Sequence, residues 1–143
     1  IDPNGGQTVT SSAFPYDVRS INSDGHGNWY LLAVYNGDGF IERSSDDGKN
    51  WQIDSGSLNP TSDPYRAFYK MYLNDGEMYV TSYNTVNNDS YVLSVSNFSG
   101  SGDISSRIIY TSQAVNGTLA FDNGNTYFPN SQGGISFFGV LSM

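Results

Sequence analysis

Along nearly the whole chain, apolar and polar residues alternate in strand-length runs separated by clusters of Gly, Asn and Asp. Residues 17–22 (DVRSIN), 29–36 (WYLLAVYN), 67–73 (AFYKMYL) and 78–84 (MYVTSYN) are of this kind, rich in aromatic and β-branched side chains. Such runs fit a pleated surface buried on one or both faces. The breaks between them, SDGHGN, NDGE and DNGN, have the Asn/Asp-Gly chemistry of hairpin turns. Helical periodicity of the apolar residues is absent throughout, so the pattern predicts an all-β, antiparallel fold.

The runs repeat. Gly-x-x-Tyr occurs at Gly27–Tyr30, Gly76–Tyr79 and Gly124–Tyr127, at spacings of 49 and 48 residues, and Pro15-Tyr16 recurs as Pro64-Tyr65 at 49. Each hairpin is followed by a third run, at 40–45, 90–96 and 134–140, and the first two also by a fourth, at 51–57 and 107–113. Four antiparallel strands recurring every ~45–50 residues are the signature of a propeller blade. One domain over residues 1–143 is expected, β-propeller-like, with about three four-stranded blades at 15–57, 64–113 and 115–143. Residues 7–14 read as an outer strand that lacks its own first three. The third blade lacks a fourth strand. Three blades are too few to close a ring, which takes about four to eight. The expectation is therefore completion by a homo-oligomer, or an excerpt of a larger propeller supplying further blades. Ile1 in place of an initiator methionine fits a processed product or an excerpt. Pairing of 7–14 with 134–140 of another copy, near Phe14, Phe137 and Phe138, is the expected joint.

Between the third and fourth runs of the first blade lies SSDDGKNW. Its Ser44, Asp46, Gly48 and Trp51 match S-x-D-x-G-x-x-W, which resembles the Asp-box of sialidase-like (BNR-repeat) β-propellers. The resemblance implies a structural turn on the face away from a binding site. Ser and Asp side chains can hold backbone N–H groups in such a turn, Gly can take its positive φ, and Trp51 can bury its ring between blades. The second blade departs from the motif, with Phe98 in the aspartate's place, and the third has none.

Charge narrows the partners. Six basic against fourteen acidic residues give −8, which argues against nucleic acid or an anionic membrane as partner. Without cysteine there is no disulfide framework or thiolate metal site. No apolar run approaches the ~20 residues needed for membrane insertion as a helix. His26 is the one histidine, and neither NGDG (36–39) nor SDDG (45–48) completes a calcium loop, so no metal and no cofactor is expected. Sequons at Asn88, Asn97 and Asn116 would matter in a glycosylating host.

Sialidases of the resembling family clamp a carboxylate with three arginines and use a tyrosine nucleophile, a paired glutamate and an aspartate acid. The Phe-Arg-Ile-Pro motif that carries the first arginine is missing. Only Arg19, Arg43, Arg66 and Arg107 are present, and Arg43 and Arg107 fall on outer strands. Glu42 and Glu77, the only glutamates, fall on an outer strand and in a hairpin turn. No complete catalytic set can be drawn from the chain, so no catalytic residue is assigned. Tyr16, Asp17, Arg19, Tyr65 and Arg66 stand near the starts of innermost strands, where a propeller's channel opens. Aromatic faces beside hydrogen-bonding charges are what a sugar requires. The same Pro-Tyr pairs would also serve as structural turns. The leading expectation is a non-catalytic carbohydrate-binding or surface-assembly module, extracellular or on a cell surface or virion. The alternatives are a fragment of a sialidase-like glycoside hydrolase and a purely structural protein–protein interaction domain.

Overall fold

The computed structural model describes residues 16–53, 58, 66–87, 89–98, 105–113, 118–129 and 135–139. They form eleven strands in three antiparallel sheets, and no helix. The first sheet runs β1 (Asp17–Ser23), β2 (Trp29–Tyr35), β3 (Asp38–Ser44) and β4 (Gln52–Ile53) in spatial order. The second runs β5 (Arg66–Asn74), β6 (Glu77–Asn84), β7 (Asp89–Ser96) and β8 (Ser105–Gln113), again in order. The third joins β9 (Ala120–Asp122), β10 (Asn125–Pro129) and β11 (Ile135–Gly139). The expected strand 7–14, Tyr65 and the end of the fourth run (54–57) lie outside the described residues.

Three hairpins turn on two-residue Asn/Asp-Gly pairs: Asn36-Gly37, Asp75-Gly76 and Asn123-Gly124. All six residues have positive φ, from 48° to 84°. Two successive positive-φ residues twist the chain in the sense of the strands they join, and this explains why Gly or Asn is needed there. Glu77 accordingly opens β6 instead of sitting in the turn.

Successive sheets bury facing surfaces against each other. Tyr30, Leu32 and Ile41 from the first sheet close on Phe68, Met71, Met78, Val80, Leu93 and Val95 from the second. The opposite face of the second sheet, through Tyr79 and Val92, meets Leu119 and Phe121 of the third. Burial on both faces explains why β6 (EMYVTSYN) reads as a nearly continuous apolar and hydroxylic run: five consecutive residues from Met78 to Ser82 are buried. Close approach at the first joint needs Gly39, since a Cβ there would stand 2.9 Å from the Phe68 ring. Leu58, fully buried, ties the same joint: its N–H donates to the Gly39 carbonyl at 2.8 Å, and its own carbonyl accepts from Ser106 Oγ at 3.1 Å.

The sheets stack in the same sense. Phe68, near the start of β5, meets Gly39, near the start of β3. At the other end, Phe98 just beyond β7 packs edge-on against Tyr30, ring centroids 5.4 Å apart, and accepts a hydrogen bond from Arg43 through its carbonyl at 3.4 Å. The starts of β1 and β5 therefore lie at one end of the stack, and the 44–51 turn lies at the other.

The repeat is shifted from the one the sequence suggests. Asp17 pairs with Val34 and Ala67 with Tyr83, so the position matching Tyr16 is Arg66 and not Tyr65. The cause is the first hairpin turn: Asp24 faces Asn28 across three residues, whereas Asn74 faces Glu77 across two. The offset between first strands is thus one residue larger than that between the second strands, where Gly-x-x-Tyr lies.

Candidate functional site

Two ends of the stack carry polar constellations, and their chemistry differs. At the turn end, Ser44 is buried beneath its loop, donates through Oγ to Asp46 Oδ1 at 2.7 Å and accepts from the Gly48 N–H at 2.9 Å. Asp46 Oδ1 accepts the Asn50 N–H at 2.9 Å, and Oδ2 accepts Asn50 Nδ2 at 2.6 Å. Trp51 donates from Nε1 to the Gly48 carbonyl at 3.0 Å, its ring half-buried. Asp47 and Gly48 hold φ of 58° and 79°. With so many donors converging, Asn50 foremost, the Asp46 carboxyl is held at about 2. The Ser44 hydroxyl and both Asp46 oxygens are thus bonded within the turn, while the neighbouring Asp47 side chain is exposed.

A second turn of the same design adjoins it. Asp24 Oδ1 accepts the His26 and Asn28 N–H groups at 2.8 and 3.2 Å, and Oδ2 accepts Asn28 Nδ2 at 2.6 Å. The Asn28 and Asn50 side chains hold Asp24 and Asp46 in the same way, and both Asp24–Trp29 and Asp46–Trp51 read Asp-x-x-x-Asn-Trp. The Asp24 carboxyl is likewise held below its ordinary value, chiefly by Asn28. The two turns touch through the Asp47 N–H and the Gly27 carbonyl, 3.4 Å apart. Sequence reasoning treated 23–28 as a plain hairpin. The signal was the recurring Asn-Trp pair.

At the strand-start end the expected binding residues divide. Asp17 and Arg19 are exposed and form an open ion pair, Nη2 to Oδ2 3.4 Å, with side chains 74% and 49% accessible. Tyr16 instead donates its hydroxyl to Glu42 on β3, whose side chain is buried. Arg66 is buried as well: its guanidinium lies 4.4 Å from the centre of the Tyr91 ring and Nη1 donates to Ser82 Oγ at 3.4 Å. Tyr16 and Arg66, at matching positions, thus both tie the start of a first strand to later strands of its own sheet. Burial, with Glu42 adding to it, pushes the Tyr16 hydroxyl well above its ordinary range, so it stays protonated.

Two residues that sequence reasoning missed join this end. Tyr69 and Tyr83 stack at 4.4 Å with planes 19° apart, both partly exposed. Tyr69 is the extra residue of a bulge in β5 between Phe68 and Lys70, and Arg19 is the extra residue of a bulge in β1 between Val18 and Ser20. A bulge re-aims the inserted side chain and interrupts the ladder. β1 and β5 are neighbours, since Ser20 Oγ and Asn22 Nδ2 both donate to the Met71 carbonyl, at 3.3 and 2.7 Å. The slip in alternation within AFYKMYL was the available clue.

Among the described residues no group of three or more His, Asp or Glu is placed to hold a metal ion. Compared with family descriptions, curated proteins and solved structures, the chain matches none of them significantly.

Proposed function

We propose that the chain is a non-catalytic β-propeller module of the Asp-box type that binds carbohydrate at its strand-start end, as part of a secreted, cell-surface or virion assembly. The observation that carries this reading is the pair of matched bulges, which project Arg19 and Tyr69 from adjacent first strands at one end of the stack. Beside them stand the open Asp17 carboxylate and the Tyr69–Tyr83 platform. Flat aromatic faces receive the C–H face of a sugar, and exposed carboxylate and guanidinium groups bond its hydroxyls. The propeller form is supported by three successive sheets that stack in one sense through corresponding faces. The self-contained turns at the far end agree with the structural role that the Asp-box resemblance implies.

The Tyr16–Glu42 pair is the one feature that favours the rival reading, a glycosidase fragment with a tyrosine nucleophile. The arginines oppose that role, since the clamp of that family takes three that face the substrate. Arg43 and Arg66 are engaged within the fold, while Arg19 is exposed.

A glycan array tests the proposal. Signals should vanish in Arg19→Ala/Tyr69→Ala with cooperative unfolding retained, and persist in Tyr16→Phe. An empty array with folded protein would favour a purely structural interaction domain. Turnover of a fluorogenic sialoside by the chain would overturn the non-catalytic reading.

A further inference from the structure

The two joints within the stack are built alike. At the first, Asn22 of β1 bonds the Met71 carbonyl through its side chain at 2.7 Å. At the second, Tyr72 of β5 takes the Leu119 N–H on its hydroxyl at 3.2 Å. Asn22 pairs with Tyr30 and Tyr72 with Tyr79, so Asn22 and Tyr72 occupy the same position in successive sheets. In both cases the innermost strand's side chain reaches the backbone of the next sheet's leading segment. The stack therefore has a repeating joint with two distinct halves, a giving face and a receiving face.

Each end of the stack leaves one half open. On the second sheet, Phe68 and Met71 belong to the receiving face and are 3% and 2% exposed against the first sheet. The corresponding residues of the first sheet, by strand pairing, are Val18 and Ile21, and they are 42% and 53% exposed. Ile53, which matches the partly buried Ile108, is 62% exposed. The middle of the same face, Leu31, Ala33 and Glu42, is already covered, so the open part lies along β1 and β4. At the opposite end, Ala120 on β9 holds the position of Asn22 and Tyr72 and is exposed. One end carries an unused receiving strand and the other an unused giving strand.

We infer that β1 of one copy of this chain docks against β9 of a second copy, continuing the internal joint from molecule to molecule. The contact is head-to-tail, and two such joints related by a two-fold axis close a ring. Its occupant is specified by continuity: the surface that already covers Phe68 and Met71 inside the chain is the surface that a third sheet of the same repeat would offer to Val18 and Ile21. The inference does not depend on what the strand-start end binds.

Light scattering and crosslinking test it. The chain should run at a multiple of its 15.6 kDa, two copies being expected. Ile21→Lys should return it to the mass of one chain with cooperative unfolding kept, and Val18→Lys serves as a second variant should the first fold poorly. Because the chain has no cysteine, Ile21→Cys mixed with Ala120→Cys should give a covalent heterodimer on oxidation. A single-chain mass for the unaltered protein at its highest soluble concentration would overturn the inference. An oligomer indifferent to both lysine variants, with no crosslink between positions 21 and 120, would overturn it too. A glycan-array result of either sign leaves this outcome unaffected.

Discussion

The turn after β3 and the turn after β7 occupy the same place in their sheets and stabilise the fold in opposite ways. The first closes on itself: Ser44, Asp46, Asn50 and Trp51 satisfy one another and the loop backbone within eight residues. The second gives its side chain away. Phe98, where an aspartate would complete the motif, packs edge-on against Tyr30 of the neighbouring sheet, and the backbone beside it takes Arg43 from that sheet. A polar turn keeps its own shape whatever the neighbouring sheet does. An apolar one depends on its neighbour, and in return fastens the two sheets together at the end opposite the proposed binding residues. The difference predicts where each loss will be felt.

Phe98→Ala should be the more damaging change, lowering unfolding free energy by about 3 kcal/mol, as for large-to-small substitutions at packed aromatics. A chemical-denaturation midpoint reads it directly. A loss as small as that of an exposed residue would mean that the second turn is not a clamp. Gly39→Ala comes next, at about 1–3 kcal/mol, because its methyl would press on the Phe68 ring at the same joint. Removing the buried hydroxyl in Ser44→Ala leaves the Gly48 N–H without its acceptor and should cost about 1–2 kcal/mol. Binding at the far end should be unchanged, and lost binding with intact stability would refute the structural role of this turn.

The smallest effects concern acid. The Asp46 carboxyl titrates near 2 when folded and near 3.8 as a free side chain. Its stabilisation is thus complete above pH about 4 and disappears as pH falls through about 2. In Asp46→Asn that contribution is missing, so the difference in denaturation midpoint between variant and unaltered protein should shrink steadily from pH 5 to pH 2. Asp24→Asn should follow the same course, since its carboxyl is shifted in the same direction by the same type of Asn partner. A constant difference across that range would show that the Asn50 bonds do not hold the carboxylate. Phe98→Ala should show no such pH dependence, which separates the two turns by measurement.

Much of the architecture was legible in residue order. Alternation and Asn/Asp-Gly pairs mark the strands and the tight hairpins, because positive φ at two successive residues is tolerated by few side chains and strand faces alternate with period two. Ser44, Asp46, Gly48 and Trp51 stand out for the same local reason: their bonds span at most four residues. What depends on long-range contact was not legible. Tyr16 and Arg66 look alike, in sequence, to exposed binding residues at strand starts. Only packing shows that the first is bonded to Glu42 and the second is stacked on Tyr91, while Arg19 and Tyr69 are brought forward by bulges. A bulge is a mismatch between two strands, so a slip in one strand's alternation hints at it but does not fix which residue is extra. The same holds for the unequal faces of the first and second sheets. Ile21 and Met71 are both apolar, and which of them is covered is decided by the sheet that stands beside it.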